Sequence, residues 1–149
     1  MVAYSFRPQF VAPILVGLGH APHAIGAEFW SPRQSYYPKR QTIRAVGRRR
    51  HARPGDELQL YTGMRTKSCR LIGRARCVAV VRATIWVADW CVMIEGRGVL
   101  GPRQLGTFAR EDGFADAAEM AAFWRKEHGP VEKWNGVLIT WEPIAESAR

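Results

Sequence analysis
The residues best equipped for chemistry lie in one run, Lys39-Arg40-Gln41-Thr42-Ile43-Arg44. It offers an amine, a hydroxyl and guanidinium groups within six positions. In an ideal strand Thr42 and Arg44 share a face, whereas the odd spacing sends Lys39 to the other. Lys39 joins them only if the chain bends between Pro38 and Gln41. With that bend, a nucleophilic site becomes conceivable. A lysine among Arg40, Arg44 and Arg48 has its charged form disfavoured, so it can act as a base near neutral pH. Thr42 would be the nucleophile it activates, and Arg44 would hold a phosphate or a developing oxyanion. Spacing alone favours a plainer reading: a basic strand edge with a threonine chosen for β-propensity.

Charge gives the run a setting. The 149-residue chain carries a formal net charge of +9. Between Lys39 and Arg76, twelve basic side chains face only Asp56 and Glu57. One segment therefore holds the whole excess, as expected of a surface that meets a polyanion. Within it Arg40, Arg53, Arg65 and Lys67 are candidate phosphate contacts, and Tyr61 a base-stacking residue. Tyr36, Tyr37 and Trp30 are further stacking candidates. Trp86, Trp90, Trp124, Trp134 and Trp141 are read as core.

Other combinations carry less. His20 and His23 with Glu28 have ligand-like types, but a Pro/Gly-rich loop has no helix to fix both imidazoles. His51, between Arg50 and Arg53, reads as solvated or phosphate-facing. Cys69, Cys77 and Cys91 include no C-x-x-C pair and read as reduced thiols. The glycines at 96, 98 and 101 lack the strand–turn–helix setting of a phosphate-binding loop. No metal and no cofactor is expected. Neither a signal peptide nor an apolar run of the ~20 residues needed to span a bilayer is visible, so the expectation is a cytoplasmic protein with no membrane partner.

Elements that would position these groups follow from periodicity. Val2 to Phe6 alternates as a strand. A short helix follows, with Pro13 in its first turn and Gly17 and Gly19 at its end. Residues 19–38 read as a long loop. Gln41 to Arg44 is extended. Pro54-Gly55-Asp56 is a turn leading into Glu57 to Thr62, where Leu58, Leu60 and Thr62 share one face. Strands are expected over Leu71 to Val81, Thr84 to Val87, Cys91 to Ile94 and Val137 to Trp141. One longer amphipathic helix starts at the Asp116-x-x-Glu119 capping signature and stops at Gly129-Pro130. Pairing the strands would give a closed or nearly closed sheet.

The order of these features resembles the ASCH family, whose fold is related to the PUA RNA-binding barrel. The resemblance is carried by Tyr4-Ser5-Phe6-Arg7-Pro8 with Phe10 through Gly17, by Lys39 through Arg44, and by Ala52-Arg53-Pro54-Gly55-Asp56. It continues through Leu58 to Lys67, Glu111-Asp112-Gly113-Phe114 and Gly136 to Ile139. It implies an α+β fold: one domain over 1–149, a PUA-like β-barrel with a short N-terminal helix and one longer helix. Activities in the family include amide hydrolysis on N4-acetylcytidine, ribonuclease activity and RNA-binding co-regulation. The family's amidohydrolases use a Lys-x-x-Thr-x-Arg segment with a downstream glutamate. By resemblance these are Lys39, Thr42 and Glu111, although Asp112 is adjacent and can take the glutamate's place. The implied protein is a hydrolase, amidohydrolase or ribonuclease, with RNA or a modified nucleoside as partner. The alternative is a non-catalytic RNA-binding module. Compact relatives lack the insertion at 19–38, which is open to three readings: lid, specificity element or homo-oligomer contact.

Overall fold
A computed structural model of the chain describes residues 2–30, 37–129 and 131–144. It is a mixed α+β fold built on a seven-stranded sheet. The first strand, β1 (Val2–Phe6), leads through a 3-10 turn into helix α1 (Val11–Gly17). Strand β2 (Gln41–Ala45) follows, then β3 (Glu57–Thr62) and the long β4 (Arg70–Trp86). A hairpin of β5 (Cys91–Ile94) and β6 (Gly98–Val99) comes next. Helices α2 (Pro102–Glu111) and α3 (Ala117–His128) precede the last strand, β7 (Trp134–Pro143).

Strand β4 is the spine. It pairs antiparallel with β3, β5 and β7, and β7 in turn carries β2. Strand β1 runs parallel to β3, with Tyr4 opposite Leu60. The alternation in β3 works as its sequence dictates: Leu58 and Leu60 are fully buried and Gln59 and Tyr61 are not. Ile85, Val92, Ile94, Leu138 and Ile139 join them in one core, each large aliphatic side chain contributing about 1.5–3 kcal/mol by leaving water.

Three expectations need correction. The strands expected over 71–81 and 84–87 are one strand of 17 residues. Its alternation is masked by Arg74, Arg76 and Arg82, which point outward, and by a bulge between Cys77 and Ala79. A second long helix, α2, was hidden by Gly101-Pro102 and Gly106. Pro102 sits in its first turn and the Gln104 side chain accepts from the Gly101 N–H at 2.8 Å, as helix starts require. Among the described residues the sheet also does not close into a barrel by backbone pairing. Strands β1 and β2 meet through a side chain: the Arg44 guanidinium donates to the Ser5 carbonyl at 2.7 Å and lies over the Tyr4 and Phe6 rings.

Helix α3 begins and ends where its signals place it. The Asp116 carboxylate accepts from the Glu119 N–H at 2.8 Å, and Gly129 leaves the helix with φ of 66°. Among the described residues no helix is long and apolar enough to cross a membrane. Tyr36, Pro32 and the rest of 31–36 lie outside the described residues; in the part of the 19–38 insertion before them, short 3-10 turns run over Pro22–Ala24 and Ala27–Phe29.

Candidate functional site
Lys39 stands just before β2, at the point where the chain leaves the ladder. Its N–H donates to the Pro13 carbonyl of α1 at 2.9 Å, and the Arg40 N–H to the Glu111 carbonyl of α2 at 3.2 Å. Two glycines make room for it. A side chain on Gly17 would overlap the Lys39 carbonyl oxygen. Gly113 has φ of 96°, and a Cβ there would meet the Lys39 Cδ at 3.0 Å. The lysine stem therefore passes through a slot that only glycine leaves open.

The chain's bend puts Lys39, Thr42 and Arg44 on the wall of one cleft of about 300 Å³. Ser5, Phe6 and Arg7 line it from β1 and its exit, and Asp112 and Phe114 from the end of α2. Phe123, Trp124 and His128 come from α3, and Trp134 from β7. Its volume is at the low end for small-molecule sites, which run from about 300 Å³.

The electrostatics are unusual for so small a chain. Lys39 is 2% exposed and Asp112 6%. The Lys39 Nζ donates to the Asp112 backbone carbonyl at 2.5 Å and lies 3.6 Å from its Oδ1. It also sits over the Phe10 ring, 4.9 Å from the centroid. Burial is the largest influence on this amine and lowers its pKa to about 8; Asp112 opposes the shift and Arg44 adds to it. The Asp112 carboxyl is pushed up by burial, against the pull of Lys39 and of Gln41. Both partners are thus driven toward their neutral forms. Gln41, also buried, anchors the carboxylate by donating to its Oδ1 at 3.3 Å.

Thr42 is 5% exposed, and its Oγ1 accepts from the Arg44 Nε at 3.0 Å. That charged donor stabilises an alkoxide more than an alcohol, so it favours loss of the hydroxyl proton. Lys39 and Thr42 thus line one cleft, the amine bonded to the Asp112 carbonyl and the hydroxyl to the Arg44 guanidinium.

Glu111 does not join this group. It is exposed and lines a separate recess with Arg97, Arg103 and Gln104. Successive residues on a helix point about 100° apart, so when the last turn of α2 aims Asp112 at β2 it must aim Glu111 away. The carboxylate of the site is Asp112.

The candidate binding residues are spread more widely. Arg40 is exposed outside the cleft, with its Nε donating to the Gly17 carbonyl at 3.0 Å. Arg53 is exposed in the turn before β3, and Tyr61 is half-buried on β3, its hydroxyl donating to Gln59 Oε1 at 3.3 Å. Arg65 and Lys67 are exposed on the loop after β3. That loop is tied to the cleft, because the Met64 N–H donates to the Ser5 Oγ at 3.2 Å. Tyr37 is exposed, with Arg110 over its ring at 5.1 Å. His51 is half-buried, stacks on Tyr4, and bonds the Tyr4 hydroxyl and the Ala45 carbonyl. Among the described residues no group of three His, Cys, Asp or Glu gathers as a metal site, His20, His23 and Glu28 included.

Sequence reasoning missed the aromatic wall. Trp124 and Trp134 are packed as core residues are, yet both line the cleft. The signal was Phe123-Trp124 with His128 one turn later, which puts two rings on one helix face. Comparison with known proteins adds no relative: no family model, no curated protein and no solved structure matches the chain.

Proposed function
We propose that the protein is a hydrolase of the ASCH type acting on an acylated nucleobase, free or within RNA, with Thr42 as nucleophile, Lys39 as general base and acid, and Asp112 in place of Glu111. The seven-stranded sheet, with no ladder between β1 and β2 among the described residues, is read as a variant of the PUA-like barrel. One observation carries the reading: a buried amine with its pKa lowered to about 8 shares a small cleft with a threonine whose hydroxyl accepts from a guanidinium.

The neutral Lys39 amine takes the Thr42 hydroxyl proton as Oγ bonds to the amide carbonyl carbon. The carbonyl oxygen becomes an oxyanion beside Arg44. Collapse breaks the C–N bond, and Lys39 returns its proton to the leaving amine. Water then attacks the Thr42 ester with Lys39 again as base, releasing the carboxylic acid and restoring the threonine. The net reaction consumes one water per amide. Asp112 holds the Lys39 amine at the cleft wall and balances its charge while it is protonated.

The loop bearing Arg65 and Lys67, fixed to Ser5 at the cleft's edge, supports RNA as the carrier of the base. The test is turnover of N4-acetylcytidine by the purified chain, with mass spectrometry of the quenched reaction for an acyl group on Thr42. Thr42→Ala should lose both. Lys39→Met should slow turnover by about 10²–10⁴. A folded wild-type protein that binds RNA but neither turns over nor becomes acylated would instead identify a non-catalytic RNA clamp.

A further inference from the structure
Strands β1 and β2 both supply walls of the cleft, Ser5 and Phe6 from one and Thr42 and Arg44 from the other. Among the described residues β1 pairs with β3 and β2 with β7, and no ladder joins the two. Their alignment rests on side chains. Tyr4 and Phe6 share a face of β1, and the Arg44 guanidinium lies over both rings, 5.2 and 4.8 Å from their centroids. The same guanidinium donates to the Thr42 hydroxyl through Nε. Whatever fixes Tyr4 therefore fixes the support on which Arg44 meets Thr42.

Tyr4 is buried, and its hydroxyl is held from two sides. It accepts from the Ala52 N–H at 3.1 Å and lies 3.0 Å from His51 Nδ1. The other ring nitrogen, His51 Nε2, lies 2.8 Å from the Ala45 carbonyl. A carbonyl only accepts, so Nε2 must carry a hydrogen. In the neutral ring Nδ1 is then the acceptor and the Tyr4 hydroxyl its donor. Each donor in the series Tyr4, His51, Ala45 thus has its acceptor. Ala45 is the last residue of β2, directly after Arg44, and Tyr4 belongs to β1. His51 joins the two strands that backbone pairing leaves apart. It does so from behind the cleft, since neither Tyr4 nor His51 lines it.

Resting on the reading of Thr42 as nucleophile, we infer that His51 is a positioning residue of the site: by tying Tyr4 of β1 to the end of β2, it holds the Arg44 guanidinium on the Thr42 hydroxyl. It acts through its two hydrogen bonds and not through its ring face, although the ring also stacks on Tyr4 at 6.0 Å and 13°.

Three variants of the full chain separate bonds from stacking. His51→Ala removes both. His51→Phe keeps a ring and loses the bonds. His51→Gln loses the ring and keeps an acceptor and a donor on neighbouring atoms. Two readouts are taken on each. The first is solvent exchange of the Arg44 Nε–H in nitrogen-15 NMR spectra, with the signal assigned through Arg44→Lys. The second is kcat and KM on N4-acetylcytidine. His51→Ala and His51→Phe should exchange about ten-fold faster than wild type. Their kcat should fall by on the order of 10–100-fold with KM little changed, because Arg44 serves the developing charge and not ground-state binding. His51→Gln should recover most of both. Thermal melts establish that each variant is folded at the assay temperature.

A lower melting point with exchange and kcat as in wild type would reduce His51 to a packing residue and overturn the inference. So would His51→Phe matching His51→Gln, or a fall in kcat with Arg44 exchange unchanged. The expected exchange pattern in a protein that does not turn over N4-acetylcytidine leaves the tie between the strands standing and removes the hydrolase reading. Turnover that is lost in Thr42→Ala but indifferent to His51 does the reverse.

Discussion

The Lys39 ammonium nitrogen lies 3.6 Å from the Asp112 carboxylate, with the two side chains 3% and 9% exposed. Neither group has water to fall back on. Removing one leaves the other buried and unpaired, a change that typically costs about 3–5 kcal/mol. Lys39→Met should therefore lower stability by that order in urea titrations at pH 7. The double variant Lys39→Met/Asp112→Asn should recover a large part of the loss, because the remaining amide can still bond and carries no charge. A double variant as unstable as the single one would show that the pair's charges are not what matters.

Turnover should rise with pH through about 8, where Lys39 loses its proton. At pH 7 only about one-tenth of the enzyme holds the free amine. Lys39→Arg should be inactive across the whole range, since a guanidinium does not release its proton. Stability carries the same signature. The folded value lies below the 10.5 usual for a lysine in water, so the unfolded chain binds more protons between pH 8 and 10.5 and stability should climb in that window. Below it, the cost of burying the ammonium is present in full. Lys39→Met should abolish the climb, as followed by denaturant titration at several pH values.

The two carboxylates at the end of α2 should separate cleanly. Asp112→Asn removes the charge that balances Lys39, and kcat should fall far more than in Glu111→Gln, whose side chain faces another recess. Steady-state kinetics on both variants at pH 8 checks this. A larger loss from Glu111→Gln would return the role to the residue suggested by resemblance.

Gly113→Ala meets two obstacles. The backbone φ of 96° is left-handed, which costs an L side chain about 1–2 kcal/mol. The new methyl also presses on the Lys39 stem at 3.0 Å. Stability should drop by about that amount, and kcat should fall because the amine is displaced. Gly17→Ala should act from the other side, through the Lys39 carbonyl. Thermal melts and kcat, measured together, report the two effects.

RNA affinity should respond to the loop beside Ser5. Charge reversal at Arg65 and Lys67 should weaken binding of a single-stranded RNA, and each lost phosphate contact should flatten the plot of log K against log salt by about 0.7. Anisotropy titrations over a range of KCl concentrations measure both quantities. An unchanged slope would remove these residues from the interface.

The sequence made the reactive types legible and left their geometry hidden. Lys39, Thr42 and Arg44 stand out by chemistry, but their convergence depends on hydrogen bonds from the backbone at 39 and 40 to carbonyls of α1 and α2, which no periodicity encodes. The choice between Glu111 and Asp112 turns on the phase of α2, a helix opened by Gly101-Pro102 and interrupted by Gly106, which hide its periodicity. Leu105, Phe108 and Ala109 did carry its apolar spacing. Strand β3 and the cap of α3 were readable because each signal is local. The seam between β1 and β2 was not, because a side chain and not a ladder spans it.

The pairing of β2 has a consequence for how the site comes into being. Thr42 is opposite Ile139, and Gln41 opposite Thr140, on a strand nearly a hundred positions later. Contacts of such long range are slow to form. During synthesis the reactive segment emerges early and waits, without its neighbour, until 134–143 has been made. A nascent or truncated chain ending after α3 would hold every reactive residue yet have no strand against which to align them. Activity should therefore appear late in refolding, with the docking of β7, and not with the collapse of the core.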